Sequence, residues 1–168
     1  DEIFGVVSEN VRRNASNVTV SPLALGRRDG GGRISLPMEG HGNTGMAQVL
    51  EGEGEGEVEI TTLDRFVADH LEGEDVSFIK IDVEGMEEDV LAGGQKTIQR
   101  FRPHVFAEAA GREEFERISA VLGPLGYEAV TSFGATPMWH FCYQPSLFQK
   151  GKVRWIKKTR KLRKKLLP

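Results

Sequence analysis

The stretch FIKIDVEGMEE, residues 78–88, leads an apolar run directly into four carboxylates. We predict a strand over residues 76–83, which is nearly all apolar apart from Lys80, as is typical of a strand buried on both faces of a parallel sheet. Gly85 then permits a sharp turn into a helix, because glycine adopts backbone angles that other residues avoid. The sequence therefore predicts a central strand with acidic side chains at its carboxyl end.

Amphipathic helices and apolar strands alternate on either side of this stretch. Predicted helices cover residues 2–14, 61–70, 86–101 and 112–122, and further predicted strands cover residues 17–25, 33–36, 44–50, 103–108, 127–130 and 138–143. About seven residues join the last two strands, too few for a helical crossover, so these strands should be antiparallel. This order predicts an α/β domain with a parallel sheet covered on both faces and a C-terminal antiparallel hairpin.

Local signals add detail to these elements. Thr61 and Asp64 have capping-box spacing at the start of the second helix. Gly93 and Gly94 lie within the third helix, where each should cost about 1 kcal/mol relative to alanine, so we expect close packing on the sheet there. EGEGEGEVE, residues 51–59, has nothing to bury, and we interpret it as a solvated loop rather than a metal or partner site.

Composition and charge indicate one domain followed by a distinct tail. The 168 residues suffice for one hydrophobic core, and the single cysteine, Cys142, excludes an internal disulfide, as is usual in reducing compartments. No apolar run approaches the roughly 20 residues of a membrane span, so we predict a cytoplasmic protein. The net charge is −3, yet residues 150–168 carry ten Lys or Arg and no acid. We therefore divide the chain into a domain, residues 1–145, and a basic C-terminal tail, residues 146–168.

Three carboxylates are the candidate site residues. Ligands of open α/β sheets bind beyond the carboxyl ends of the strands, and Asp82, Glu84 and Glu108 lie at that end of two neighbouring predicted strands. A catalytic and a structural role stay open for each of them, and a site for a hard cation is a further alternative, although we assign no metal. Glu87 and Glu88 fall in the first turn of the next helix, where the helix dipole favours acids, and we interpret them as surface residues.

The four histidines give no comparable signal. His41, His70, His104 and His140 show no metal-ligand spacing. His140 lies in a predicted strand, and we interpret it as a packed strand residue, with a general base as the alternative. The histidines therefore add no predicted site.

Several motifs together resemble a known family. They are ITTLD at residues 60–64, FIKIDVEGME at 78–87, VLAGG at 90–94 and RPHVFAE at 102–108, preceded by VSPLALG at 20–26. Their order and spacing are similar to those of FkbM-type methyltransferases, and the resemblance covers roughly residues 1–145. It implies a class I methyltransferase (Rossmann-like) fold, whose seven-stranded sheet ends in an antiparallel hairpin.

The resemblance also implies a cofactor, a substrate class and roles for individual residues. The cofactor is S-adenosyl-L-methionine, and family members methylate hydroxyls of sugars, glycans or natural products. Ala24, Leu25 and Gly26 are expected near the adenine, whereas Asp82 ends the fourth strand of the family, beside the cofactor at the methyl-transfer cleft. Glu108 ends the fifth strand, and Asp82, Glu84 or Glu108 is expected to orient or deprotonate the acceptor hydroxyl. The acceptor is expected to be a small molecule or a glycan.

The chain departs from the family pattern at its N-terminus. The Gly-rich loop after the first strand and the acid that ends the second strand have no counterpart in the sequence, so we expect an N-terminally truncated sheet that lacks these two strands. The alternative function is therefore a catalytically inactive, methyltransferase-like fragment that binds an anionic partner through residues 150–168. We expect that partner to be an anionic membrane surface, which would make the protein peripheral to the membrane, in preference to nucleic acid.

A binding measurement tests the expected truncation. Residues 1–168 alone should bind S-adenosyl-L-methionine weakly or not at all, because the resemblance assigns half of the cofactor site to the two strands that are lacking. Isothermal titration calorimetry of this chain measures the affinity directly. Binding with a dissociation constant in the micromolar range, about −8 kcal/mol, contradicts the expectation.

Overall fold

The computed structural model describes residues 2–14, 17–35, 48–52 and 58–146. Residues 53–57 and 147–168 lie outside these ranges, so the prediction made for the basic tail stays a prediction. The loop predicted over residues 51–59 was too long, because residues 51–52 end a strand, Gln48–Gly52, and residues 58–59 begin another, Val58–Thr62. The first element is helix α1, Glu2–Asn14, with the bounds that the sequence predicts. Within the described ranges, no helix combines the length and the apolar character needed to cross a membrane.

The first sheet contains four strands from the N-terminal half of the chain. They are β1 (Ala24–Gly26), β2 (Gly30–Ser35), β3 (Gln48–Gly52) and β4 (Val58–Thr62), in the spatial order β1-β4-β2-β3. Strand β1 runs parallel to β4, whereas β2 is antiparallel to both β4 and β3. The sheet is therefore mixed, and its only parallel pair among the described residues is β1 with β4.

The strand predicted over residues 44–50 continues to Gly52 in the structure, and two further predicted strands of this region also have different bounds. The strand predicted over residues 17–25 is confined to Ala24–Gly26, the three residues that pair with β4. Strand β2 begins at Gly30, three residues before the strand predicted over residues 33–36, because its glycines pair with β3 and β4. Both differences arise from strand pairing, which local sequence patterns do not determine.

The second sheet contains residues 78–81 of the FIKIDVEGMEE stretch. Strand β5 (Phe78–Ile81) pairs in parallel with β6 (His104–Glu108), and β8 (Met138–Tyr143) lies antiparallel between β6 and β7 (Tyr127–Phe133). The antiparallel pairing of the last two strands is confirmed. No strand pair among the described residues joins this sheet to the first one, and which strands the complete sheet contains stays a prediction.

Helices cover one face of the second sheet. They are α3 (Glu87–Ala92), α4 (Gln95–Phe101) and α5 (Arg112–Leu122), and the last has the predicted bounds. Leu91, Ile98 and Leu122 are fully buried in one core cluster with residues of all four strands. Burial of apolar surface of this kind stabilises a fold by about 25 cal/mol per Å².

The opposite face of the second sheet corrects one prediction. Strand β5 was predicted to be buried on both faces, but Phe78 is 56% exposed and Lys80 is also exposed, whereas Ile81 is 3% exposed. Phe78 stacks on Phe106 of β6, so aromatic rings extend across this face. Strand β5 is therefore covered on one face only by the described residues.

The glycine pair interrupts the third predicted helix. Residues 86–101 form two helices, α3 and α4, which meet at Gly93 and Gly94. A Cβ atom at Gly93 would collide with the carbonyl oxygen of Gly26 in β1, and one at Gly94 would lie 2.6 Å from Cδ2 of Leu63. The predicted close packing is confirmed, and it brings the junction of these helices against the first sheet.

The TTLD motif has a different role from the one predicted. Helix α2 (Leu63–His70) is capped by Thr62, whose side chain accepts a hydrogen bond of 3.1 Å from the backbone N–H of Arg65, so the assignment of the cap to Thr61 was wrong. Asp64 reaches another helix: its carboxylate accepts hydrogen bonds from the backbone N–H groups of Lys96 (3.1 Å) and Thr97 (2.7 Å) in α4. Asp64 therefore satisfies free donors in the first turn of α4 across 32 residues of sequence.

Substitution of Gly93 tests the contact between helix and strand. Gly93→Ala should destabilise the protein by about 1–3 kcal/mol or more, because the added methyl group displaces the backbone of β1. Gly123→Ala is the matched control, since Gly123 has helical backbone angles and open space around it. Denaturant unfolding measures both variants, and equal stabilities contradict the proposed contact.

Candidate functional site

The acids at the carboxyl ends of β5 and β6 come together. Ile81 of β5 pairs with Ala107 of β6, so the residue that follows each of them lies at the same edge of the sheet. Asp82 forms a side-chain hydrogen bond with Glu108, and the charges of Asp82 and Glu84 both act on Glu108. The structure thus brings together the three acids that the sequence singled out, although their chemical role stays a prediction.

The carboxyl group of Glu108 has a raised pKa. Partial burial raises the pKa of Glu108 above its ordinary value, and the negative charges of Asp82 and Glu84 and the hydrogen bond with Asp82 raise it further. Raised pKa values of this kind suit a carboxylate to general base catalysis, because the best catalytic pKa lies near the working pH. Glu108 is therefore suited to accept a proton from a bound hydroxyl.

Lys80 supports Asp82 from the same strand. The Nζ atom of Lys80 lies 2.6 Å from Oδ2 of Asp82, and both side chains are about half exposed. Side chains two residues apart point to the same face of a strand, which explains why the ammonium group reaches the carboxylate. No function was predicted for Lys80, although its spacing of two residues from Asp82 was a usable signal.

The loop that follows Asp82 is held by Glu87. Glu84 and Gly85 have φ angles of 51° and 104°, in the left-handed region that costs a non-glycine residue about 1 kcal/mol or more. The Oε1 atom of Glu87 accepts hydrogen bonds from the backbone N–H groups of Val83 (3.2 Å) and Gly85 (3.3 Å). Glu87 is 4% exposed, so its interpretation as a surface residue was wrong: it fixes the loop that presents Asp82 and Glu84.

Ion pairs join this region to the end of β1. Arg27 directly follows β1 and contacts two acids in the first turn of α3, Glu88 at 2.9 Å and Asp89 at 2.7 Å. Glu88 also lies 3.6 Å from Arg117 of α5. The predicted position of Glu88 in the first helical turn is confirmed, and its carboxylate links β1, α3 and α5.

The residues expected near an adenine form the short strand β1. Gly26 is buried beneath Gly93, Leu25 packs against the core cluster and Ala24 is half-buried. Through Arg27, the carboxyl end of β1 lies at the start of α3, which is also where the loop from Asp82 ends. The placement of Ala24, Leu25 and Gly26 around a cofactor stays a prediction.

A groove of about 680 Å³ lies elsewhere, between α2 and α4. Its lining includes Val67, Leu71, Thr97, Arg100 and Phe101. None of the predicted site residues lines it, so it does not form part of the candidate site.

The structure brings two histidines together, in contrast to the prediction that the histidines show no ligand arrangement. His104 of β6 and His140 of β8 lie side by side, with Nδ1 and Nε2 2.9 Å apart, and both contact Cys142. His140 also stacks on Phe106, which agrees with its interpretation as a packed strand residue. His104 is 36 positions from His140 and 38 from Cys142 in the sequence, so only the strand register brings His104 to the other two.

Comparison with known families identifies the chain. A model of the Methyltransferase FkbM domain matches residues 8–139 of the 168 residues. The chain belongs to the FkbM methyltransferase family. The resemblance carried by the FIKIDVEGME and TTLD motifs is thereby confirmed, and these motifs lie within the matched range.

Comparison of structures agrees with this assignment at the level of the fold. The chain is similar to the crystal structure of methyltransferase FkbM from Methylobacillus flagellatus KT, with a TM-score of 0.51 and 16% sequence identity. The superposition covers 84% of this chain and 33% of that one, so this FkbM chain spans about one third of the length of the solved structure. Comparison with curated protein sequences finds no significant match.

The pKa of Glu108 predicts a pH-dependent gain from removing its charge. Because this pKa is raised in the folded state, ionisation of Glu108 opposes folding at neutral pH and has no effect below the ordinary glutamate pKa of about 4.3. Glu108→Gln should therefore raise the melting temperature at pH 7 to 8, and the gain should disappear as the pH falls towards 4.

A matched variant separates this effect from a general loss of negative charge. Glu59→Gln removes a carboxylate from an exposed position of β4, remote in sequence from the acid group. Thermal unfolding followed by circular dichroism compares the two variants across the pH range. A gain for Glu108→Gln that is the same at every pH, or equal to that of Glu59→Gln, contradicts the electrostatic explanation.

Proposed function

We propose that this FkbM family member is an S-adenosyl-L-methionine-dependent O-methyltransferase that methylates a hydroxyl of a sugar, glycan or natural product. The observation that carries the proposal is the carboxylate group at the ends of β5 and β6, in which Glu108 has a raised pKa. Membership of the family supports the reaction class, and the acids supply chemistry that a hydroxyl acceptor needs.

The charge of the acidic group at the ends of β5 and β6 suits such a cofactor. When bound, S-adenosyl-L-methionine supplies a methyl group on a positively charged sulfonium. The group of Asp82, Glu84 and Glu108 is anionic, and Asp82 is exposed beyond the end of β5, so a cation placed there would be attracted. We propose that Ala24, Leu25 and Gly26 flank the adenine, since the carboxyl end of β1 lies at the same end of α3 as the acids.

The carboxylates would have separate tasks. Glu108 would accept the proton of the acceptor hydroxyl, because its raised pKa makes the carboxylate a stronger base than an ordinary glutamate. Asp82 would orient the hydroxyl with one carboxylate oxygen, while its Oδ2 atom accepts a hydrogen bond of 2.6 Å from Lys80. Glu84 would contribute negative charge from a loop whose geometry Glu87 fixes. Positioning of this kind can account for a large part of the rate enhancement in a methyl transfer.

Substitution of Asp82 tests the proposed site. In a chain that also carries the two cofactor-binding strands expected from the family resemblance, Asp82→Ala should lower the rate of methyl transfer by about 100-fold or more, because the acceptor hydroxyl loses the group that orients it. Transfer of labelled methyl groups from S-adenosyl-L-methionine to a panel of sugars, glycans and hydroxylated small molecules measures the rate.

Asp69→Ala is the matched control for this experiment. It removes an exposed aspartate of α2 whose ion pair with Arg65 contributes little to stability. A wild-type rate for Asp82→Ala would remove Asp82 from the site. A loss of activity in both variants would indicate a general effect on folding, which circular dichroism detects.

A further inference from the structure

Three potential metal ligands converge on one face of the second sheet. The register pairs Val105 with Phe141 and Phe106 with His140, so His104 lies across from Cys142 on the neighbouring strand. His140 and Cys142 are two residues apart on β8 and therefore share a face. The cluster of His104, His140 and Cys142 thus joins the start of β6 to β8.

The ligand atoms are spaced almost as a tetrahedral metal site requires. The separations are 2.9 Å between His104 Nδ1 and His140 Nε2, 3.1 Å between Cys142 Sγ and His140 Nε2, and 3.4 Å between Cys142 Sγ and His104 Nδ1. Zinc bonds of about 2.1 Å to nitrogen and 2.3 Å to sulfur place tetrahedral ligands about 3.3 to 3.6 Å apart. Outward shifts of a few tenths of an ångström therefore make room for the ion.

We propose that His104, His140 and Cys142 bind a divalent metal ion of the zinc class, with water from solvent as the fourth ligand. All three ligand atoms lie within 4.8 Å of one another, and no other group of three such side chains in the described ranges meets this limit. Imidazole and thiolate ligands favour Zn²⁺ and similar ions over Mg²⁺ or Ca²⁺, which prefer oxygen.

The surroundings prepare these side chains for a metal. The ring of His140 stacks on Phe106, with centroids 4.2 Å apart and planes 8° apart, which fixes its orientation. Cys142 is 4% exposed, and His104 on the rim is exposed, so an ion can enter from that side.

The alternative is a hydrogen-bonded trio without metal. One shared proton accounts for the short contact between the two rings, and the thiol can donate to either nitrogen. Such a trio would have no selectivity for metals and no thiolate at neutral pH. A thiolate–metal bond is therefore the property that separates the two explanations.

The cluster lies apart from the proposed methyl-transfer site. His104 is the first residue of β6 and Glu108 is the last, so about 13 Å of strand separates them. The metal would instead connect β6 to β8, the two inner strands of the second sheet. The proposed site is thus a structural clamp, independent of the proposed activity.

Metal titration of the full chain tests the proposal. Zn²⁺ should bind with a stoichiometry of one at this site, and Co²⁺ should give a thiolate-to-cobalt charge-transfer band together with the visible bands of tetrahedral cobalt. Mg²⁺ should give no heat in calorimetry and no rise in melting temperature. His104→Ala should weaken binding of Zn²⁺ by at least about tenfold, since even the loss of an outer partner of a ligand costs that much.

Two further variants make the result decisive. Cys142→Ala should abolish the charge-transfer band, whereas His70→Ala, which removes an exposed histidine of α2, should leave both metals bound as in the wild type. Circular dichroism of each apo variant checks that it folds. The proposal is overturned if Co²⁺ gives no thiolate band with the folded wild type, or if His104→Ala and Cys142→Ala bind Zn²⁺ as tightly as His70→Ala does.

Discussion

The approach of the junction between α3 and α4 to the first sheet is the constraint on which the rest of the structure depends. Two glycines allow this approach, because a side chain at Gly93 would occupy the place of the Gly26 carbonyl. The carbonyl of Gly93 also accepts a hydrogen bond of 3.0 Å from the backbone N–H of Asp64, whose carboxylate caps α4. No strand pair among the described residues joins the two sheets. These contacts and the ion pairs of Arg27 therefore place β1 beside the loop that carries Asp82 and Glu84.

The sequence predicted elements whose signals are local. Helix α5 begins at Arg112 after a glycine and ends at Leu122 before Gly123-Pro124, with the bounds that the sequence predicts. The predictions that were wrong depended on distant partners. Residues 17–25 have strand-forming composition, but only Ala24–Gly26 finds a partner in β4, and the helix predicted over residues 86–101 is divided where it meets β1.

The same distinction applies to the candidate site. Asp82 and Glu108 could be predicted because the carboxyl ends of parallel strands meet at one edge of a sheet, and the structure brings them together. The buried role of Glu87 could not be predicted, because its carboxylate accepts a hydrogen bond from the loop that precedes it in the chain. Its position in the first turn of a helix had indicated an exposed side chain. His104, His140 and Cys142 depend on the register between β6 and β8, which no spacing along the chain expresses.

The buried core lies mainly in the second sheet, so the two sheets should differ in how readily they unfold. The buried cluster draws its members from residues 81–141, so the second sheet and its three helices form a cooperative unit with its own interior. Much of β2 is exposed, and β1 reaches that interior chiefly through Leu25 and the Gly26–Gly93 contact. Amide hydrogens of β2 should therefore exchange with solvent through partial openings that leave the second sheet intact. Such an opening would separate β1 from the acids while the second sheet stays folded. A cofactor bound between β1 and the acids would therefore stabilise the contact between the two sheets.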